Sequence, residues 1–228
     1  MNSSKTKLWY LQNFNLFEGM DKSMMQQVDT MASMSQARRK EKIYFPDQPS
    51  NAIYFLKEGK IKIYRLSEDG RSTSLQLLGP GEIFGESALI GQRQHEDVAE
   101  VIEDATICAL SKTDFQDLMN KNPGLNRQVN KFIGFRLRQI QTHVEDLVFK
   151  TARERVLAFL RRYTEKFGKQ MVDGWIVRPF LNHQEIADLT ANSRQTVNTI
   201  LNELEDRGKI RYTRRMLQLN GNLDILDN

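Results

Sequence analysis

Residues 181–207, LNHQEIADLTANSRQTVNTILNELEDR, decide how this chain is read. Asn182 followed three positions later by Glu185 is a capping-box pattern with Asn in place of Ser or Thr, so a helix starts there and turns Ile186, Ala187 and Leu189 inward. After a short polar break, Ser193 offers a second N-cap. Val197, Ile200, Leu201 and Leu204 then repeat at helical spacing until Gly208 ends the run. Two short helices joined by a tight turn predict a helix-turn-helix whose second helix reads a surface.

The side chains of that second helix fit base edges. Arg194, Gln195 and Asn198 fall opposite the apolar face, and Arg pairs with guanine as Gln or Asn pairs with adenine. Ser193 and Thr196, at the positive end of the helix dipole, are suited to a phosphate. Thr199 stands one turn further on. The next stretch, Lys209–Leu219, reads as two strands around a basic tip. It supplies Arg211, Tyr212, Thr213, Arg214 and Arg215 as donors to backbone phosphates.

The charge distribution points the same way. Residues 1–149 hold 19 Lys and Arg against 19 Asp and Glu, whereas residues 150–228 hold 14 against 10, so the whole net charge of +4 is C-terminal.

Upstream, residues 42–110 read as short extended runs. Lys42–Phe45 precedes Pro46-Asp47; Ala52–Leu56 precedes Glu58-Gly59; Lys60–Arg65 precedes Glu68-Asp69-Gly70; and Ser74–Leu78 precedes Gly79-Pro80-Gly81. Alternation at period two with Gly, Pro and Asp in the gaps predicts a sandwich or rolled barrel. The first forty residues read as helical, with Leu16, Phe17, Met20, Met24, Met25 and Val28 packing into a core. Beyond Pro123 a long helix places Val129, Ile133, Leu137, Ile140, Val144 and Leu147 at spacings of three and four. Such a period near 3.5 predicts a coiled-coil seam between two copies. Phe132, Phe135 and Phe149 lie off that seam. A further amphipathic helix over Thr151–Phe167 and an extended Trp175–Val177 lead into the helix-turn-helix.

The composition excludes other classes. With 39% apolar residues, 27% charged, 13 Gly and 5 Pro, the chain is an ordinary globular one. No stretch has the apolar length of a membrane span or a secretory signal, so a cytoplasmic protein with no membrane partner is expected. The lone Cys108 cannot hold an iron–sulfur cluster and reads as a buried strand thiol. No catalytic triad, metal-ligand cluster or P-loop is present. His95, His143 and His183 are scattered, so an enzyme is not expected.

In this order the parts resemble the cAMP receptor protein/FNR (Crp/Fnr) family of bacterial transcription regulators. The resemblance rests on Ile53–Lys62, on Gly79–Glu86 and on Ser193–Val197. It implies an α+β protein with a cyclic-nucleotide-binding-like β-roll (jelly-roll) at 1–122, a dimerisation helix at 123–149 and a winged helix-turn-helix at 150–228. It also implies a homodimer on near-palindromic double-stranded DNA, with RNA polymerase as a partner and an effector in the β-roll. Effector positions carried over from the resemblance are Gly85, Glu86, Ser87, His95, Glu96, Ile140 and Gln141. Relatives that bind cyclic nucleotides clamp the phosphate with an Arg-Ser pair, where this chain has His95-Glu96, and Ile140-Gln141 replaces a polar adenine contact. Cyclic AMP is therefore not expected, nor is haem, for which His95 and His143 are candidate ligands by type alone; the effector stays open. At the reading helix, Gln195 replaces a family carboxylate and Thr199 a family Arg, which predicts guanine recognition by Arg194, a shift toward adenine at Gln195 and a weaker contact at Thr199. A nucleotide-binding regulatory subunit acting on a partner protein is the alternative reading.

Overall fold

A computed structural model describes Lys7 and residues 14–67, 72–89 and 91–226. Met1–Thr6, residues 8–13, the expected turn at Glu68-Asp69-Gly70 and the last two positions lie outside the described residues. The chain divides into two compact units, 1–71 with 75–138 and 72–74 with 139–228.

The first unit is built on a six-stranded sheet. Strands β1 (Ser33–Ala37), β6 (Val98–Ser111), β3 (Ala52–Leu66) and β4 (Ser72–Leu78) follow one another in space. β2 (Lys42–Tyr44) adds to β6, and β5 (Ile83–Phe84) adds to β3. The antiparallel β3–β6 ladder is its spine, pairing Phe55 with Cys108 and Leu56 with Ile107. Neighbouring side chains on a strand point to opposite faces, so the two pairs serve two cores. Phe55 and Cys108 join Val28, Phe115 and Leu118, whereas Leu56 and Ile107 join Tyr44, Ile61 and Phe84. Cys108 is fully buried there, and burial raises its thiol pKa.

Two local expectations give way. The first forty residues are not helical throughout: α1 (Lys22–Met31), capped by Asp21 accepting from the Met24 amide, ends before Ser33–Ala37, which pairs with β6 as a strand. Glu58-Gly59 is not a turn either, because β3 runs through it. Gly59 has φ +87°, and a Cβ there would lie 2.3 Å from the Asp104 carbonyl oxygen, so it marks a register shift where two backbones approach closely.

After β6, Ser111 caps α2 (Lys112–Lys121), and α3 (Pro123–Phe149) follows as one continuous helix. The second unit adds α4 (Ala152–Phe167), the hairpin β7 (Gly168–Met171) and β8 (Gly174–Val177), α5 (His183–Thr190), α6 (Arg194–Asp206), and the hairpin β9 (Ile210–Thr213) and β10 (Met216–Asn220). A capping box of Thr151 and Glu154 starts α4. Helices α4, α5 and α6 touch one another, and their core includes Val156, Leu160, Ile186, Val197, Leu201 and Leu204, all fully buried. The four strands order as β7-β8-β10-β9, so Leu217 and Leu219 of β10 lie at the centre of this sheet, fully buried.

Candidate nucleic-acid interface

Asn182 and Glu185 form the capping box expected for α5, and Ser193 caps α6 by accepting from the Thr196 amide at 3.0 Å. The helix buries Val197, Ile200, Leu201 and Leu204 and leaves Arg194, Gln195, Asn198 and Thr199 exposed. No hydrogen bond or ion pair among the described residues engages the side chains of Arg194, Gln195 or Asn198. These donors and acceptors are free for a ligand. The Ser193 and Thr196 hydroxyls lie 2.8 Å apart and bond each other, and Thr199 donates its hydroxyl to the Gln195 carbonyl at 3.1 Å.

The β9–β10 hairpin turns at Arg214-Arg215, with Arg211, Arg214 and Arg215 exposed. Tyr212 is committed elsewhere: its hydroxyl donates to Asn202 of α6 at 2.7 Å, and its ring lies 5.5 Å from that of His183 at the start of α5. Tyr212 thus fixes the hairpin against both helices, and its hydroxyl proton is not free for a phosphate. Thr213 accepts from the Arg215 amide across the tip.

In the first unit, Gly85 (φ +75°) lets the chain turn beside Tyr54 into Glu86, Ser87 and Ala88. Glu86 accepts from Arg136 Nε at 3.2 Å, while Arg136 Nη2 reaches the Ile83 carbonyl. Ser87 bonds Ser50. His95, 3% exposed, stacks on Tyr44 with ring centroids 3.7 Å apart, and its Nδ1 has no partner; burial lowers its pKa and keeps the imidazole neutral. Glu96 pairs with Arg65 at 2.7 Å. Burial also raises the pKa of the neighbouring Asp97. Ile140 and Gln141, the remaining effector positions, fall in the second unit.

Two family models match this architecture: a cyclic nucleotide-binding domain over residues 35–122 and a Crp-like helix-turn-helix domain over 154–221. A cyclic AMP receptor protein of Thermus thermophilus is 29% identical over 190 residues, spanning 82% of this chain and 84% of the relative. A CRP-like cAMP-activated global transcriptional regulator of Mycobacterium tuberculosis is 26% identical over 196 residues, spanning 86% and 88%. The solved structure of TTHB099, a CRP-family transcriptional regulator from Thermus thermophilus, matches with a TM-score of 0.72 at 26% identity, covering 85% of this chain and 94% of that one.

The chain belongs to the Crp/Fnr family. It is a DNA-binding transcription regulator of the Crp/Fnr type, with the family's β-sheet domain, long helix and helix-turn-helix in order.

The exposed apolar stripe on the long helix of this Crp/Fnr chain starts later than expected. Val129 is 2% exposed and packs with Leu125 and Phe115 in the core of its own unit, so it has no surface to offer a second copy. Ile133, Leu137, Ile140, Val144 and Leu147 remain 40–56% exposed along the helix. Phe132 packs partly on the first core, under the Arg136 guanidinium, whereas Phe135 and Phe149 are exposed.

Arg155 was not foreseen. Its guanidinium donates to the carbonyls of Thr190 and Ala191 and to Asn192 Oδ1, holding the turn between α5 and α6. No local sequence signal marks it, because the partners in that turn lie thirty-five or more residues away. Among the described residues no group of His, Cys, Asp and Glu could hold a metal, and no helix is long and apolar enough to cross a membrane.

Proposed function

We propose that the protein acts in the cytoplasm as a homodimer. Ile133, Leu137, Ile140, Val144 and Leu147 of one copy pack against those of the other and set two α6 helices into successive major grooves of a near-palindromic operator. In this reading the β-roll is 1–122, the dimerisation helix 123–149 and the winged helix-turn-helix 150–228. Arg194, Gln195, Asn198 and Thr199 face bases. Ser193, Thr196, Arg211, Thr213, Arg214 and Arg215 line the phosphate backbone, with Tyr212 fixing the hairpin that carries the last four, and RNA polymerase is the partner on DNA.

One observation carries the reading: a helix with one face wholly buried presents unpaired Arg194, Gln195 and Asn198 on the other. A subunit built only to bind a nucleotide and control a partner protein leaves that face unused. Selection of bound duplexes from a random pool, followed by affinity measurement over a range of salt, tests it. A two-fold-related consensus and an affinity that falls steeply with salt are expected; equal binding to all duplexes overturns it.

The same proposal gives the β-roll an effector other than cyclic AMP, bound near Gly85, Glu86, Ser87, His95 and Glu96 and acting on the long helix that carries Ile140 and Gln141. A cyclic phosphate needs an unengaged cation where this chain places neutral His95 and Glu96, and the Arg65 guanidinium at Glu96 is already paired with that carboxylate. Glu86 is already paired with Arg136, and His95 fills space against Tyr44. Titration with cyclic AMP is expected to leave operator affinity unchanged.

A further inference from the structure

The reading helix holds a hollow whose chemistry differs from the rest of its exposed face. Ser193, Gln195, Thr196, Thr199 and Ile200 line an open depression of about 330 Å³. Two of its three hydroxyl protons are already engaged. Ser193 and Thr196 bond each other, and Thr199 donates back along the helix to the Gln195 carbonyl. With the Thr199 oxygen turned toward the backbone, its methyl group is the substituent left for an approaching molecule, and the nearly buried Ile200 adds apolar surface beside it. A major groove presents one apolar group to such a surface, the C5-methyl of thymine, and threonine methyls are suited to meet it.

We propose that Thr199 and Ile200 form a methyl pocket that selects a thymine in each half-site, next to the base pair that Gln195 faces. Thr199 is then a specificity determinant by apolar contact, more than the weak polar contact its residue type suggests. The inference rests on the operator-reading function proposed above.

The test uses the full-length protein and its selected operator, with each thymine replaced in turn by deoxyuridine, which lacks only the methyl. One position per half-site is expected to weaken binding by about fourfold, the value for removing one methyl-sized group from a buried contact. Thr199→Ser keeps the hydroxyl and its bond to Gln195 but lacks the methyl, so it is expected to bind the thymine and deoxyuridine operators equally. Thr199→Val, which keeps a methyl, is expected to retain the preference. An unchanged thymine-to-deoxyuridine ratio in Thr199→Ser, or no sensitive thymine at all, overturns the pocket while specific binding persists. Loss of all sequence preference in the unmodified protein overturns both the pocket and the operator-reading function.

Discussion

Arg155 Nη2 donates to the Ala191 carbonyl and to Asn192 Oδ1, each at 3.0 Å, while Nε and Nη1 of the same guanidinium reach the Thr190 and Lys150 carbonyls. One cation from α4 therefore satisfies carbonyls that the end of α5 leaves without helical partners. Replacing Arg155 by Met keeps the stem but removes these bonds. Bonds to a charged donor contribute ~1.5–3 kcal/mol. A loss of that order in urea denaturation is expected, together with weaker operator binding as the turn between the helices loosens.

Ala191 ends α5 with φ 50° and ψ 49°, a left-handed conformation that costs a residue with a Cβ roughly 1–2 kcal/mol. Ala191→Gly removes that strain and leaves the Arg155 contact in place, at the expense of a more flexible unfolded chain. The net expectation is a stabilisation of up to ~1 kcal/mol with unchanged DNA specificity. Thermal unfolding at constant pH measures it.

Asp146, near the end of α3, is nearly buried and lies 2.7 Å from both Lys150 and Arg162. Burial pushes its pKa up, but the bonds and charges of Lys150 and Arg162 outweigh this and hold the carboxyl below its ordinary value. A depressed folded pKa stabilises fully above the unfolded value and is lost as pH falls through the folded one. Asp146→Asn is therefore expected to lower stability at pH 7 and to flatten the acid limb of the stability–pH curve below about pH 4.

Lys57, 5% exposed, points its ammonium at the Phe14 ring 3.7 Å away and has no hydrogen-bond partner. Burial, only partly opposed by Cys108, brings its pKa down to about 7. Between that value and the ordinary 10.5 the unfolded chain binds more protons, so this group makes stability rise with pH across the interval. Lys57→Met is expected to be more stable than the parent at pH 6, with the difference shrinking toward pH 10. Denaturation midpoints at three pH values decide it.

Leu137 and Val144 are each more than half exposed on the proposed seam of α3. Charge there opposes burial against an identical charge on a second copy. Leu137→Glu with Val144→Glu is expected to give a folded monomer in sedimentation and to abolish cooperative occupancy of two half-sites. Val129→Glu is expected to unfold the first unit instead, because Val129 belongs to that unit's own core.

The helix-turn-helix was legible from local order alone. Asn182 with Glu185, Ser193, the spacing of Val197 to Leu204 and Gly208 fix caps, register and end within a few residues, because helix geometry couples positions three and four apart. The extended runs at 52–56 and 60–65 and the apolar periodicity of α3 were equally readable. What periodicity could not supply was which partner each surface meets. Val129 and Ile133 lie one turn apart on the same apolar stripe, yet the first unit's core takes one and leaves the other exposed. Gly59 carries a turn signal, yet its closeness to Asp104 makes it a register shift inside a long strand. Arg155, Tyr212 and Arg136 owe their roles to residues ten to fifty positions distant. Backbone conformation is set by neighbours in the chain, whereas burial and pairing are set by neighbours in space, and only the tertiary structure brings those together.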